Sequence, residues 1–345
     1  MVAASILADE IRSLLDQGQT EAARRALPEG FGRSEALADP EIGAVIVRLL
    51  RSFGYNGCAE RLTSALRAKF PDSRLVESRW IRDQLGIGRY DEVVRWLQST
   101  RDGEGWPESE LDELWSTRFD LHLTFRDFFK AERALDRAEA AGAPAHQIVG
   151  DRLALLCAQD EYASALELAE SALERFPDYS RVAHFHAWLL FQLNREQEAL
   201  EAFAAAGERF DVFGLWAAYA TALGDTHREA DAVQALERML EQNPSCGRRQ
   251  RRWIHVQLAV TAARIGDLDR AREHAPHGGE YAAKMLESLE RYDRPVQRLE
   301  VPFQIQSHLT CAPASAAAIL GYFDQEIDHS EIAAQITYDG THDSD

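Results

Sequence analysis

The segment HLTCAPASAAAIL, residues 308–320, places a cysteine directly before a run of small and apolar residues. Pro313 suits the first turn of a helix, where its missing N–H costs no hydrogen bond, so we predict that a helix begins at Cys311. The unpaired N–H groups and the positive dipole end of a helix N-terminus favour a thiolate. Cys311 is therefore a candidate nucleophile for covalent catalysis at a carbonyl carbon.

Two glutamines precede this cysteine. Gln306 and Gln304 lie in RLEVPFQIQ, residues 298–306, whose alternation predicts a short extended segment. Alternation places both glutamines on one face, where a side-chain amide could donate to an oxyanion at Cys311. Gln306 is the preferred oxyanion donor because it is nearer the cysteine, and Gln304 is the weaker choice.

A second short helix is predicted over DHSEIAAQI, residues 328–336, with Asp328 or Ser330 as its N-cap. Together, VPFQIQSHLTCAPASAAAILGYF and SEIAAQITYDGT resemble the start of the bacteriocin-processing, double-glycine leader peptidases, which have a papain-like α+β fold. The resemblance implies that Cys311 is the nucleophile and Gln306 the oxyanion donor. Ala312 stands where that family commonly has glycine.

The resemblance also implies a histidine base, oriented by Asp or Asn, well downstream of the cysteine. Only residues 312–345 follow Cys311, so we expect this chain to lack both groups and to be inactive alone. The nearby histidines are not expected to replace the base. His308 is too close to the cysteine, His329 lies at a helix start, and His342 lies at the end of the chain.

A long helical region must position these residues. The unit DEYASALELAESALERFPDYS, residues 160–180, recurs in looser form before and after itself. A small residue of the second helix recurs at spacings of 34, 34 and 33, at Ala131, Ala165, Ala199 and Ala232. This pattern resembles the tetratricopeptide repeat over about residues 45–290, which implies a mainly α superhelix of paired helices.

Looser units extend the same register. They place Cys58, Val93 and Ala271 in the small-residue position of their second helices. First helices carry small residues as well, at Ala187, Ala220 and Ala259. Small residues at these positions allow two helices to approach closely, so the repeats are expected to stack into one curved array.

Repeat arrays of this kind bind peptides or proteins on their concave face. The candidate contact residues are two histidines and two aromatic residues of first helices: His184, His186, Trp188 and Tyr219. The alternative for each of them is packing between repeats. No catalytic constellation is predicted within the array itself.

The composition limits the partners. The formal net charge of −19 argues against a nucleic-acid-binding protein or one attracted to anionic membranes. The basic stretch RRQRRW, residues 248–253, is predicted to be a solvated helix face. No apolar run is long enough to span a membrane, and the N-terminus is not typical of a signal peptide.

The four cysteines lie far apart and form no metal-ligand spacing, so no metal or other cofactor is expected. Cys58, Cys157 and Cys246 are interpreted as small core residues. Reduced cysteines and the absence of targeting signals favour the cytoplasm.

We predict two domains. Residues 1–295 form the tetratricopeptide-like array, and residues 296–345 form the incomplete start of a papain-like cysteine peptidase. The predicted function is leader-type peptidase activity, with the array recruiting a peptide or protein substrate. The alternative is a non-enzymatic interaction scaffold that ends in a degenerate C-terminal module.

Overall fold

The computed structural model describes residues 2–17, 19–27, 32–100, 103, 106–107, 110–210, 212–242, 247–292, 299, 301–302, 304 and 310–336. The helices in this part of the chain are α1 (Val2–Asp16), α2 (Thr20–Arg25), α3 (Arg33–Ala36), α4 (Pro40–Ser52), α5 (Asn56–Lys69), α6 (Arg74–Gly86), α7 (Tyr90–Thr100), α8 (Leu111–Thr124), α9 (Phe128–Ala140), α10 (Ala145–Ala158), α11 (Tyr162–Arg175), α12 (Ser180–Gln192), α13 (Glu196–Phe210), α14 (Phe213–Asp225), α15 (Glu229–Gln242), α16 (Arg248–Arg264), α17 (Leu268–Gly278), α18 (Glu280–Tyr292), α19 (Cys311–Tyr322) and α20 (His329–Ile336).

Seven helical hairpins follow one another from α4 to α17 in the described residues, each pairing an even-numbered first helix with the next odd-numbered second helix. The turn of every one of these hairpins contains a residue with φ between +54° and +80°. These residues are Gly54, Gly88, Arg126, Asp160, Asn194, His227 and Gly266. This left-handed conformation allows a tight reversal of the chain. It has little steric cost for Gly and is accessible to Asn and Asp.

The fourth residue of every second helix is small or β-branched and fully buried. The set is Ala59, Val93, Ala131, Ala165, Ala199, Ala232 and Ala271, each at most 1% exposed. The prediction of this position was correct in six hairpins and wrong in the first, where Ala59 occupies it instead of Cys58. Each buried residue lies five positions after the left-handed turn residue, so the turn sets the register.

The core of the described residues is divided into clusters that follow one another along the array. Its largest cluster joins α12 to α16 through large side chains, among them Phe203, Trp216 and Met239. Small buried residues on first helices, including Ala187 and Ala259, let neighbouring helices approach, as the sequence predicted. Cys157 is half-buried at the edge of the neighbouring cluster, and Cys58 is half-buried as well, whereas Cys246 lies outside the described residues.

The first hairpin contacts the last one. Gln250 Nε2 of α16 donates to the carbonyl oxygen of Gly54 at 3.1 Å. The backbones of Gly57 and Gly247 approach so closely that a Cβ on Gly57 would lie 2.8 Å from the Cα of Gly247. Phe213 at the start of α14 touches Gly54 as well. We call this contact, between residues 54–57 and residues 213 and 247–250, the clasp.

The C-terminal helices follow the predicted pattern. α19 begins at Cys311 with Pro313 in its first turn, and α20 begins at His329. Asp328 accepts a hydrogen bond from the Ser330 N–H at 2.8 Å, so Asp328 rather than Ser330 caps α20. Residues 306, 308 and 342, which carry the second glutamine and two of the histidines, lie outside the described residues.

Within the described residues, no helix has the length and apolar character needed to cross a bilayer.

Candidate functional site

The inner surface of the array is organised around one face of α12. Arg181, His184 and Trp188 follow one another at spacings of three and four residues, so their side chains share a face. The opposite side of the helix is anchored by Val182 and Leu189, both fully buried. This anchoring holds the polar and aromatic side chains toward the interior of the superhelix.

A cavity of about 480 Å³, here called the polar cavity, lies at the N-terminal end of this face. Its wall is formed mainly by the first helices α4, α6, α8, α10, α12 and α14. One cavity can touch six successive first helices only because the array curves around it. The charged residues on its wall are Arg48, Arg51, Arg79, Arg82, Arg181, Asp120 and Asp151.

Ion pairs connect these charges from hairpin to hairpin. Arg82 of α6 lies 2.7 Å from the Asp120 carboxylate and 3.1 Å from the Glu113 carboxylate, both on α8. Glu113 also lies 2.8 Å from Arg79, and its side chain is only 7% exposed. Guanidinium groups suit such shared pairs because they present several donors in a fixed fork.

The pairs move the pKa values of the buried acids. Burial acts to raise the pKa of Glu113, but Arg79 and Arg82 outweigh it, and the pKa of this carboxyl is lowered. Burial lowers the pKa of Arg79 to about 10, which leaves the group charged at neutral pH. Glu113, Arg79 and Arg82 are therefore charged under neutral conditions.

The pair between Arg181 and Asp151 closes the network on the α12 side. Their side chains approach to 2.6 Å, with Asp151 only 4% exposed. Burial acts against the charged form of Arg181, but Asp151 raises the pKa of this group overall. His184, one turn further along α12, has its pKa lowered by burial and then by Arg181, so it is neutral at physiological pH.

A second cavity, of about 650 Å³, lies at the C-terminal end of the same face and is here called the aromatic cavity. Trp188, Phe191 and Phe203 form one side, while Trp253 of α16 approaches from the other. Alanines of α14 form a flat floor between them. The described part of its wall carries one charged group, Asp225.

The two cavities are neighbours along α12. His184 belongs to both walls, and a smaller cavity of about 330 Å³ has Arg181, His184 and Trp188 in its wall as well. We call the whole path, from the polar cavity to the aromatic cavity, the inner trough.

Two of the four candidate contact residues lie in the inner trough, namely His184 and Trp188. Tyr219 instead packs against Trp216 in the core, with ring centroids 6.0 Å apart. His186 lies in neither cavity wall and is surrounded by charges of the second helices, including Glu170 and Glu198. Tyr219 and His186 therefore fit the alternative interpretation, in which the side chain packs within the array.

The C-terminal residues reach the same surface. Gln304 lies in the wall of the aromatic cavity and also in that of a more open cavity beside α19 and α20. Cys311 is half-buried at the first position of α19. Gln306 is outside the described residues, so its proximity to Cys311 stays a prediction.

The arginines of the polar cavity were not recognised from the sequence. A signal was present, because α4 and α6 each carry two arginines at a spacing of three, Arg48 with Arg51 and Arg79 with Arg82. Such pairs on first helices lie on one face. Their convergence on one cavity depends on the curvature of the array, which no single repeat reveals.

Comparison with known proteins supports the fold. No protein-family model matches the sequence, and no curated protein matches it. A chain in the crystal structure of the APC/C hetero-tetramer Cut9-Hcn1 superposes with a TM-score of 0.55 at 11% identity. The match covers 93% of this chain and 59% of that chain, so this chain spans about three fifths of the length of that chain.

The chain has a tetratricopeptide-like helical repeat fold. At this level of identity the likeness concerns the fold alone. The comparisons give no support to the predicted peptidase domain, and its catalytic residues remain predictions.

Proposed function

We propose that this protein is a protein-interaction scaffold that binds an extended polypeptide segment in the inner trough. The observation that carries the proposal is the succession of cavities along α12, whose walls share Arg181, His184 and Trp188. Alternate side chains of an extended peptide point to the same side at intervals of about 6.6 Å, so alternate residues would meet successive turns of α12, which are about 5.4 Å apart.

The dimensions support this function. The two main cavities measure about 480 Å³ and about 650 Å³, within the range typical of ligand sites, roughly 300–1,000 Å³. Tryptophan side chains are frequent at the energetic centres of protein interfaces, and both Trp188 and Trp253 face the aromatic cavity. Tetratricopeptide-like arrays offer such concave surfaces to protein partners in general.

The test is selection of random-sequence peptides displayed on phage, followed by affinity measurement with fluorescein-labelled versions. Thr221 is an exposed residue in the wall of the aromatic cavity, and its Oγ1 donates to the Ala217 carbonyl at 2.9 Å. Thr221→Arg should fill the cavity and weaken binding by about tenfold or more, about 1.4 kcal/mol.

Thr124 provides a matched control. It is an exposed helical threonine whose Oγ1 donates to the Asp120 carbonyl at 2.8 Å, and it lies outside both cavity walls. Thr124→Arg adds the same charge and volume and should leave affinity unchanged. Failure to select any peptide, or equal weakening by both substitutions, would show that the inner trough is not the binding site.

A second candidate function is favoured by the start of α19 at Cys311. In that function, Cys311 is the nucleophile of a leader-type cysteine peptidase and Gln306 its oxyanion donor. The inner trough would recruit the substrate, and Gln304 would join the two regions. The support is the position of a half-buried cysteine at the first residue of a helix.

Alkylation with limiting iodoacetamide near neutral pH tests this candidate. Burial raises the pKa of Cys157 to about 12, so that thiol should react slowly and serves as the internal control. Cys311 should be labelled first, as read by peptide mass spectrometry. Equal labelling of Cys311 and Cys157 would remove the nucleophile from the proposal.

The chain alone is expected not to cleave a double-glycine peptide. Measured turnover that disappears in Cys311→Ala would overturn that expectation.

A further inference from the structure

A group of three histidines lies between the two helices of the last hairpin, outside the described walls of the inner trough. His255 is on α16, and His274 and His277 are one turn apart on α17. The Nδ1 atoms of His255 and His274 lie 3.2 Å apart. The ring centroid of His277 lies 4.9 Å from that of His255. Three imidazole rings therefore meet at one place.

Small residues of both helices bring these rings together. Ala259 of α16 and Ala275 of α17 are fully buried in one cluster, so the two helices approach closely there. His255 lies one turn before Ala259, and His274 directly precedes Ala275. The pair is separated by 19 positions and a hairpin turn, so no local sequence motif indicates it.

The separation of the two Nδ1 atoms suits a shared metal ion. Imidazole nitrogens bind zinc at about 2.0–2.1 Å, and a tetrahedral angle between two such bonds places the nitrogens about 3.3–3.4 Å apart. The observed 3.2 Å lies within about 0.2 Å of that separation. Both bonds can therefore form with little movement of the two rings.

Both rings can supply a lone pair at neutral pH. Burial lowers the pKa of His255 and of His274, and metal binding requires the neutral form of histidine. In the hydrogen-bonded pair, one Nδ1 donates its proton to the other. When the ion binds, that proton moves to the Nε2 of the same ring, so both imidazoles stay neutral. His255 is half-buried and His277 is exposed, which leaves the ion a path from solvent.

Charged groups around the pair act in both directions. Glu273 acts on both rings as a negative charge, whereas Arg251 opposes it at His255 and Arg270 opposes it at His274. Affinity for a cation therefore comes from the imidazole nitrogens rather than from an excess of acid. Imidazole suits zinc, copper and nickel, while magnesium prefers oxygen ligands.

We infer that His255 and His274 bind one divalent transition-metal ion through their Nδ1 atoms. Within the described residues, no group of three metal-ligating side chains already has the geometry of a site, so water fills the remaining positions of the ion. The bound ion would join α16 to α17 and stabilise the last hairpin, because it binds the folded state. This site does not depend on the proposed function of the inner trough.

Isothermal titration of the untagged protein with Zn²⁺, after dialysis against a chelator, tests the inference. The tightest site should hold one ion per chain, and Mg²⁺ should not compete for it. Zn²⁺ should also raise the midpoint of thermal unfolding. His255→Gln and His274→Gln should each weaken binding about tenfold or more and reduce that rise. His186→Gln removes a half-buried histidine of α12 and should change neither result.

A second measurement locates the ion in the unsubstituted protein, so the answer does not depend on how well a variant folds. Bound Cu²⁺ in the presence of ascorbate oxidises the histidines that hold it, and peptide mass spectrometry identifies them. His255 and His274 should be oxidised before His186. Oxidation spread evenly over the histidines, Zn²⁺ binding at unchanged affinity in both variants, or no binding of Zn²⁺ would overturn the inference.

Discussion

Replacing Glu113 with glutamine removes the one carboxylate that two arginines of α6 share. Its side chain is 7% exposed, and those of Arg79 and Arg82 are 13% and 18% exposed. Removing one member of a buried ion pair typically costs about 3–5 kcal/mol, because a charge is left uncompensated. Arg82 retains Asp120 at 2.7 Å, whereas Arg79 loses its recorded ion pair. We therefore expect a loss at the lower end, about 3 kcal/mol.

The measurement is urea unfolding followed by circular dichroism, with the free energy of unfolding taken from the midpoint and slope. Glu198→Gln is the control, because Glu198 pairs with Arg195 on the exposed surface. Exposed pairs contribute little to stability. The midpoint should fall clearly for Glu113→Gln and stay at the wild-type value for Glu198→Gln.

The pH dependence adds a second criterion. The pKa of Glu113 is lower in the folded protein than in the unfolded chain. Its contribution is therefore complete above the unfolded pKa of about 4.3 and disappears as the pH falls through the folded value. The difference in stability between wild type and Glu113→Gln should shrink below pH about 4. A Glu113→Gln midpoint equal to that of Glu198→Gln at neutral pH would refute the role of this carboxylate.

Three further perturbations probe the array. Ala165→Leu should overpack a fully buried crossing and cost about 1–3 kcal/mol, whereas Ala163→Leu on the exposed face should be neutral by the same unfolding assay. His255 and His274 face each other with their Nδ1 atoms 3.2 Å apart, and burial, aided at His255 by the neighbouring histidines, lowers the pKa of each. Stability should therefore decline as the pH falls below about 6.5, and a decline that is unchanged in His274→Gln would exclude this pair as the cause. Gly57→Leu should push the clasp apart and lower the midpoint of thermal unfolding, and an unaltered midpoint would mean that the clasp contributes nothing to stability.

The repeat architecture was readable from the sequence because its signal is local. An alanine at a period near 34 recurs wherever two helices of a hairpin cross, and Ala165 and Ala199 are buried as the pattern requires. At the first hairpin the sequence pattern placed Cys58 at the crossing, one residue before the position that is buried. The left-handed residue at Gly54 sets the register instead, and it places Ala59 at the crossing.

The candidate site was less accessible from the sequence. His184 and Trp188 were found because an aromatic or imidazole group on a first helix is a local feature. The polar cavity joins Arg48 to Arg181, residues that only the curvature of five hairpins brings to one place. The direction in which Tyr219 turns, into the core beside Trp216, likewise depends on packing between helices.

The clasp has a consequence for how the array unfolds. In an open solenoid each repeat contacts only its neighbours, so the repeats at the two ends can unfold independently of each other. The hydrogen bond from Gln250 to Gly54 and the contact between Gly57 and Gly247 join the first hairpin to the last.

Fraying of either hairpin must break this contact, which couples the two ends and makes unfolding more cooperative. The hydrogen bond joins residues 196 positions apart in the sequence. Closing so long a loop costs entropy, so the contact should form only after the intervening hairpins have folded. Under tension the array should therefore resist extension until the clasp ruptures, and only then lengthen as separate repeats.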